Sequence, residues 1–259
     1  MTQARTLIVL GSGTSAGVPT IGCDCAVCTS TNPRNSRTRP SVLLQLPEGN
    51  ILVDTSPELR IQLIRERIRI VHSVLYTHYH VDHLFGLDDC RLFPIKLGHS
   101  LPIFCNDEVE EVIRQVFSYA FHPKNDNHPA IMLPQLEFRR ITAEPFEILG
   151  LPITPIPLIH GRFNVFGYRV GNLAYCTDVN LIPEKSWPLL QNLDTLILDA
   201  VKPGISLPSH FGLDEALQVI EQLKPKQTYL THLSHKMDPD TIELPKNVEL
   251  AYDGLRIEF

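Results

Sequence analysis

The sequence predicts an α+β fold in which β-sheets are covered by helices. Short apolar runs of strand length occur along the whole chain, and they outnumber the stretches that have helical periodicity. The 21 prolines fall mostly between these runs, which indicates many short elements joined by firm turns. A chain of 259 residues fits one large domain, so we expect residues 1–259 to form a single domain.

The predicted strands are short apolar segments bounded by turn-forming residues. They are Leu7–Leu10, Val42–Leu46, Ile51–Val53, Val74–Tyr76, Ile103–Cys105, Phe146–Leu149, Ile153–Ile156, Val165–Val170, Leu173–Cys176, Thr195–Leu198 and Thr228–Leu230. At the end of the chain we expect a pair of strands joined as a hairpin by the turn Asp253-Gly254. The two strands of this pair are Val248–Tyr252 and Leu255–Phe259.

Three segments have the apolar spacing of an amphipathic helix. In Glu108–Ala120 the apolar residues fall on one helical face, and Asp107 is the predicted N-cap. The second segment is Leu213–Leu223, which has Asp214 near its start. The third and least regular segment is Pro57–Ile68.

The charge of the chain restricts the partners that it can bind. The formal net charge is −6, which would repel a polyanion, so we do not expect a nucleic-acid partner. A small phosphorylated substrate is compatible with this charge, because bound metal ions can dominate the local field. The sequence has no export signal and no apolar stretch of roughly 18 residues, which predicts a soluble, cytoplasmic protein without a membrane partner.

Five of the predicted strands lead into a residue that can bind a metal. Because rigid strands hold the residues that follow them, side chains at several strand ends can converge on one site. The five residues are Asp54, His78, His160, Asp178 and His232.

The strongest signal follows the predicted strand Val74–Tyr76. His78 and His80 alternate, so an extended backbone directs both side chains the same way. Asp82 and His83 follow at a turn, where they can face a neighbouring point. Imidazole and carboxylate groups suit Zn²⁺, Mn²⁺ or Fe²⁺. We therefore interpret these four residues as metal ligands rather than as a polar surface loop.

A second metal site is predicted from cysteines near the start of the chain. Cys23, Cys25 and Cys28 form a C-x-C-x-x-C cluster, which indicates metal binding rather than disulfides in a chain without an export signal. A structural zinc needs four ligands, so the fourth must come from a distant part of the sequence. The remaining cysteines adjoin or lie within apolar runs and are predicted core residues: Cys90, Cys105 and Cys176.

The histidine motif resembles the H-x-H-x-D-H signature of the metallo-β-lactamase superfamily. The remaining signature residues follow in the expected order, and they are Asp54, His160, Asp178 and His232. This resemblance covers most of the chain, from about Leu7 to His235, and it implies an αββα four-layer sandwich with two divalent metals at the edge of two sheets.

The same resemblance implies a role for each residue of the site. The ligands implied for the first metal are His78, His80 and His160, and those for the second are Asp82, His83 and His232. Asp178 would bridge the two metals. Asp54 would hydrogen-bond the motif without binding a metal.

Other segments resemble the PhnP family of cyclic-phosphate phosphodiesterases. They are Gly11–Pro19, the cysteine cluster and Leu230–His235. This resemblance implies hydrolysis of a small cyclic phosphate, such as 5-phosphoribosyl 1,2-cyclic phosphate, by a hydroxide that bridges two Mn²⁺ or Zn²⁺ ions. It also implies a homodimer, and a structural Zn²⁺ that is held by the three cysteines and His235.

His210 lies just before the predicted helix Leu213–Leu223, and the PhnP and tRNase Z families carry a comparable histidine. We predict that His210 protonates the leaving group or binds the phosphate, and we count it with Asp82 as a catalytic residue. His122 and His128 lie in a segment rich in Asn and Pro, for which a solvated loop is favoured over a role in lining the pocket.

Other functions remain open at this stage. A tRNA 3′-processing nuclease of the tRNase Z type is opposed by the negative charge and by the lack of an evident basic, Gly-rich arm. A thioesterase of the glyoxalase II type shares the metal motif, but that activity does not account for the cysteine cluster. A PqqB-like protein would carry the cysteines, but it sometimes lacks catalytic ligands that are all present here. A non-enzymatic role is the last alternative.

Overall fold

The computed structural model describes residues 5–121, 133–205 and 208–259. The predicted loop histidines His122 and His128 lie outside these described residues. Within the described ranges the strands are β1 (Thr6–Gly11), β2 (Ser41–Leu46), β3 (Gly49–Val53), β4 (Ser73–Leu75), β5 (Leu101–Cys105), β6 (Leu136–Arg140), β7 (Phe146–Ile148), β8 (Leu151–His160), β9 (Phe163–Val170), β10 (Leu173–Cys176), β11 (Thr195–Asp199), β12 (Gln227–Thr231), β13 (Val248–Leu250) and β14 (Arg256–Glu258).

The described strands form two sheets of seven strands each. Their orders are β14-β1-β2-β3-β4-β5-β6 and β13-β12-β11-β10-β9-β8-β7. Strands β3 to β6 run parallel to one another in the first sheet, and β10 to β13 do so in the second. Parallel neighbours end at the same edge of a sheet, so residues that follow these strands are brought close together.

Helices cover the outer faces of both sheets. They are α1 (Leu59–Arg65), α2 (Val81–Leu84), α3 (Phe93–Leu97), α4 (Asp107–Val116) and α5 (Leu213–Leu223). Helix α5 has the predicted bounds, and α1 is shorter than the predicted segment Pro57–Ile68. No helix in the described ranges is long and apolar enough to cross a membrane.

Helix α4 starts one residue earlier than the predicted segment Glu108–Ala120, and it ends four residues before that segment does, at Val116. Asn106, and not Asp107, is the N-cap residue, and its side chain accepts a hydrogen bond from the Val109 amide at 3.0 Å. Asp107 is instead the first helical residue. An amide oxygen at the N-cap satisfies one of the free backbone N–H groups of the first turn, so Asn106 serves the purpose that was predicted for its neighbour.

Three apolar layers join the sheets and helices. In β1, Leu7 and Val9 contribute to the layer between the two sheets, whereas Ile8 and Leu10 contribute to the layer under α1 to α4. All four side chains are buried, as expected for a strand that is covered on both faces and therefore reads as a continuous apolar run. The third layer lies between the second sheet and α5. The αββα four-layer sandwich implied by the resemblance is thus confirmed.

The predicted hairpin at the end of the chain is wrong. Strand β13 pairs with β12 in the second sheet, whereas β14 pairs with β1 in the first. The turn at Asp253 therefore crosses from one sheet to the other. Its carboxylate accepts hydrogen bonds from the amides of Ser12 and Thr38, both at 2.9 Å, which ties the turn to the first sheet.

Among the strands and α-helices of the described ranges, three short ones were not predicted from the sequence. Strand β6 carries Glu137, Arg139 and Arg140, so it lacks the apolar run by which the other strands were recognised. It lies at the edge of its sheet, where charged residues are common. Helices α2 and α3 have four and five residues, which is too few for a helical period to be recognised.

Candidate metal centre

The predicted ligands lie where strands of both sheets end at a common edge. Asp54 follows β3, His78 follows β4, His160 ends β8, Asp178 follows β10 and His232 follows β12. Asp54, Asp178 and His232 have left-handed backbones, with φ of 63°, 52° and 58°. Such a conformation is costly for residues other than glycine, and its occurrence at three strand ends around one site is typical of strain at a functional centre.

The rest of the histidine motif starts a short helix. His80 is the N-cap of α2 with an extended backbone, and Asp82 and His83 lie in the first turn. Asp82 and His83 are buried, whereas Val81 is exposed to solvent. The short helix therefore directs both potential ligands into the protein and the apolar side chain outwards.

Two clusters of potential ligands share one carboxylate. The ligand atoms lie within 4.8 Å of one another in each cluster, and the clusters are His78, His80, His160 and Asp178, and Asp82, His83, Asp178 and His232. Asp178 Oδ2 is 3.8 Å from His160 Nε2, and Asp178 Oδ1 is 3.1 Å from His83 Nε2. Asp178 therefore faces both clusters, as a bridging ligand would.

The two central histidines suit a bound cation. His78 Nε2 and His83 Nε2 are buried and make no hydrogen bond among the described residues, although His83 Nε2 lies 3.1 Å from Asp178 Oδ1. A buried polar atom without a partner is costly, and a metal ion at each cluster would satisfy it. The donor set of imidazole and carboxylate groups is the one found in Zn²⁺ and Mn²⁺ sites. The residues present therefore fit the divalent metals that the family implies.

The Nδ1 atoms of His83 and His160 each have a hydrogen-bond partner in the protein. His83 Nδ1 lies 2.7 Å from Asp54 Oδ2, and His160 Nδ1 donates to the Ser209 carbonyl at 2.6 Å. Asp54 also accepts hydrogen bonds from the backbone amide and the hydroxyl of Thr77, at 2.8 and 2.7 Å. These contacts orient the rings and leave Nε2 as the metal-binding nitrogen. The structure thus places Asp54 behind the motif, where it contacts His83 by a hydrogen bond.

The electrostatics of the site favour ionised carboxylates. Although burial favours the neutral acids, the neighbouring histidines hold the pKa of Asp82 and the pKa of Asp178 well below the usual carboxyl range. Burial would by itself lower the pKa of His232, but Asp178 and its neighbours raise that pKa to about 9. Buried carboxylates that stay ionised attract divalent cations.

His210 lies beside the clusters and is oriented by a carboxylate that was not predicted. Its ring stacks on His232 with centroids 4.6 Å apart, and the His160 ring centroid is 4.5 Å away. Its Nδ1 lies 2.8 Å from Oδ2 of Asp199, which is fully buried. Asp199 ends β11. Asp199 directly follows the predicted strand Thr195–Leu198, so the strand-end pattern that identified the other five residues also applied to Asp199.

The three clustered cysteines meet a histidine from the other end of the chain. The Sγ atoms of Cys23, Cys25 and Cys28 lie 3.2, 3.7 and 3.4 Å from His235 Nδ1. In a tetrahedral zinc site, Zn–S bonds of about 2.3 Å and Zn–N bonds of about 2.0 Å separate sulfur and nitrogen by about 3.5 Å. The four side chains therefore fit a structural zinc. The other cysteines are buried in the core, and they are Cys90, Cys105 and Cys176.

A buried arginine joins the same two parts of the chain. Arg37 is 2% exposed, and its guanidinium donates to the carbonyls of Ser234 and Met237 at 2.8 and 2.6 Å and to the Asn35 side chain. Burial lowers the pKa of Arg37 to about 10, so the guanidinium stays charged at neutral pH. The N-terminal loops are therefore held against the segment that follows His232 by protein contacts as well as by the cysteine cluster.

Comparison with known proteins places this site in a family. The family profile described as "Beta-lactamase superfamily domain" matches residues 49–233. A solved structure described as a new diphosphatase from the PhnP family is 43% identical, has a TM-score of 0.91, and aligns over 100% of this chain and 98% of its own.

Two curated proteins match most of the chain. An octanoyltransferase of Porphyromonas gingivalis is 34% identical over 253 residues, which are 96% of this chain and 50% of that protein, so the chain spans about half the length of that relative. A ribonuclease Z of Microcystis aeruginosa is 26% identical over an alignment of 314 positions, which covers 95% of this chain and 94% of that protein. The chain therefore belongs to the metallo-β-lactamase superfamily of metal-dependent hydrolases, and within it to the PhnP-like group.

Proposed function

We propose that this chain hydrolyses a phosphodiester bond in a small cyclic phosphate, such as 5-phosphoribosyl 1,2-cyclic phosphate. The observation that carries the proposal is the position of Asp178 between two clusters of histidine ligands. A pair of metals that share one ligand can hold the attacking and the leaving oxygen of a single phosphoryl group. A small substrate is favoured because the net charge of −6 opposes a polyanion.

The residues of the two clusters have separate tasks in this proposal. His78, His80 and His160 would hold one divalent metal, and Asp82, His83 and His232 would hold the other. When bound, the metals supply an activated water molecule and neutralise the charge on the phosphoryl oxygens. Asp178 would bridge the metals and fix their separation. The ligands accept Mn²⁺ or Zn²⁺, and the identity of the metal in the cell follows its availability.

His210 is proposed to donate a proton to the leaving oxygen. Its Nδ1 is occupied by Asp199, so Nε2 is the nitrogen that can face a substrate. The side chain of His210 is 14% exposed, whereas that of Asp199 is fully buried, so only His210 is open to a ligand from solvent. Asp199 would hold the ring in one orientation.

A structural Zn²⁺ bound by Cys23, Cys25, Cys28 and His235 completes the proposal. It would connect the N-terminal loop to the strand end that carries His232, since His235 lies three residues further along the chain. The structural metal would thereby support the geometry of the catalytic one.

A diphosphate is the second candidate substrate. The 43% identical protein of the PhnP family is described as a diphosphatase, and its length is matched almost completely. Cleavage of a phosphoanhydride uses the same two-metal chemistry, with a phosphate instead of an alkoxide as the leaving group. A phosphate needs little help from a proton donor, so a diphosphatase would depend less on His210 than a cyclic phosphodiesterase does.

The proposal is tested with a substrate panel in Mn²⁺ and in Zn²⁺. The panel contains a ribose cyclic phosphate, a diphosphate diester, bis-p-nitrophenyl phosphate, a precursor tRNA and S-lactoylglutathione. A higher kcat/KM for the cyclic phosphate than for every other substrate supports the proposal. A higher kcat/KM for the diphosphate diester than for the cyclic phosphate would favour the second candidate, a diphosphatase. Activity mainly on precursor tRNA or on the thioester rejects both phosphate candidates.

Replacing His210 by alanine tests its role as proton donor. We expect His210→Ala to lower kcat by about 10²–10⁴-fold for the cyclic phosphate, whose alkoxide must be protonated. For bis-p-nitrophenyl phosphate we expect a loss of less than about tenfold, because p-nitrophenolate leaves without a proton. Asp199→Asn is the companion variant and should show the same selectivity to a smaller degree. An equal loss on both substrates would assign His210 to phosphate binding instead.

A further inference from the structure

An exposed arginine stands next to the proposed metal ligands without a charged partner. Arg162 lies at the turn between β8 and β9, two residues after His160. It is exposed, and among the described residues it has no ion pair and no hydrogen bond. The arginines Arg39, Arg65 and Arg91 each pair with a carboxylate, so Arg162 differs from them.

The turn that carries Arg162 is held rigidly on the catalytic side. The amide of Gly161 donates to the side chain of Asn180 at 2.6 Å, and the amide of Asn180 donates to the Ile159 carbonyl at 2.9 Å. Gly161 has a left-handed φ of 61°, a backbone conformation that residues with a side chain rarely adopt. Because Asn180 lies two residues after Asp178, the turn is fixed to the same loop as the proposed bridging carboxylate.

An aromatic ring links the arginine to the histidine cluster. The Arg162 guanidinium carbon lies 5.1 Å from the centroid of the Phe163 ring, within the range of a cation–π contact. The Phe163 ring in turn meets the His80 ring edge to face at 4.9 Å. The guanidinium carbon is therefore no farther from the centroid of the His80 ring than these two distances combined, which places it at the rim of the site.

We propose that Arg162 is a specificity-determining residue that binds a second phosphate of the substrate, at a distance from the bond that is cleaved. This inference rests on the proposed function. The interior of the site contains carboxylates and imidazoles, whereas a guanidinium is charged whatever its neighbours are. A guanidinium binds phosphate through two parallel hydrogen bonds, and the guanidinium of Arg162 already lies over the Phe163 ring.

The chemistry predicts which kinetic constant changes. The second phosphate does not react, so its contact with Arg162 contributes mainly to binding and should appear mainly in KM. A purely structural role for Arg162 would instead lower activity on every substrate alike. Two substrates that share the reacting bond and differ by one phosphate separate these cases.

The test compares 5-phosphoribosyl 1,2-cyclic phosphate with ribose 1,2-cyclic phosphate. We expect Arg162→Ala to lower kcat/KM for the 5-phosphorylated substrate by about 10–100-fold, the usual range for a hydrogen bond to a charged group. For the substrate without the second phosphate we expect a change of less than about twofold, because no contact is lost there. Arg162→Lys should recover part of the activity, since it restores the charge without the planar fork.

Lys226→Ala is the matched control for the loss of one positive charge. Lys226 pairs with Asp194 and precedes β12, at the opposite end of that strand from His232, so its replacement should leave both substrates unchanged. Equal losses on both substrates in Arg162→Ala, or no loss on either, would overturn the inference and leave the proposed function intact. Failure of the unaltered protein to cleave either cyclic phosphate would overturn the proposed function and this inference with it.

Discussion

Replacing Asp178 by asparagine is expected to lower kcat/KM on phosphodiesters by more than about 10³-fold, since the loss of a shared direct ligand should exceed the 10–100-fold penalty typical of outer partners. The carboxylate lies between the two histidine clusters, and an amide has neither its charge nor its second acceptor oxygen. Turnover and bound metal, the latter measured by elemental analysis, should fall together.

Asparagine is the appropriate replacement because Asp178 has a left-handed backbone with φ of 52°. Asparagine tolerates this conformation, whereas alanine would add backbone strain of about 1–2 kcal/mol to the loss of the ligand. Asp194→Asn is the matched control, since Asp194 lies just before β11, at the opposite end from Asp199. A variant of Asp178 that keeps near-normal turnover and metal content would remove the bridging role from the mechanism.

Replacing Cys25 by serine is expected to remove one zinc per chain and to lower the midpoint of thermal unfolding. A hydroxyl is a poor substitute for a thiolate, so the remaining ligands should no longer retain the ion. Loss of a structural metal is among the most destabilising changes. A decrease of about 3 kcal/mol in the free energy of unfolding would lower the midpoint of thermal unfolding by roughly 6–12 °C for a chain of this size. Arg37 still joins the two segments in this variant, so we expect a folded protein at 25 °C.

The measurements for Cys25→Ser are zinc content and calorimetry, with Cys90→Ala as the control. Cys90 is a buried core cysteine, so its replacement should lower stability modestly and leave the zinc content unchanged. Zinc content that is the same in Cys25→Ser as in the unaltered protein would contradict the structural site. The midpoint of thermal unfolding should fall while kcat/KM changes little, because the proposed catalytic ligands are not altered.

Local patterns were sufficient to predict most elements and most of the site. The apolar run Leu7–Leu10 identified β1, and helical spacing identified α5 with its observed bounds, because periodicity reports which faces of an element are buried. The histidine motif and the residues after four other strands are brought together as expected. These features depend on neighbours in sequence, and the sequence displays them directly.

The tertiary structure decided which elements pair and which distant groups meet. Strands β13 and β14 are close in sequence yet belong to different sheets, because strand pairing is set by long-range packing and not by the turn between them. The contact of His235 with the cysteines joins residues more than 200 positions apart, so local patterns did not indicate it and it was expected only from the resemblance to the PhnP family.

The role of Asp199 also became visible only in the folded chain, where its carboxylate meets His210 beside the proposed ligands. The sequence by itself determined the family, the residue types of the proposed ligands and their placement at strand ends. The tertiary structure determined their partners, because a hydrogen bond or a shared ligand depends on distance in space, which the spacing of residues along a chain does not specify.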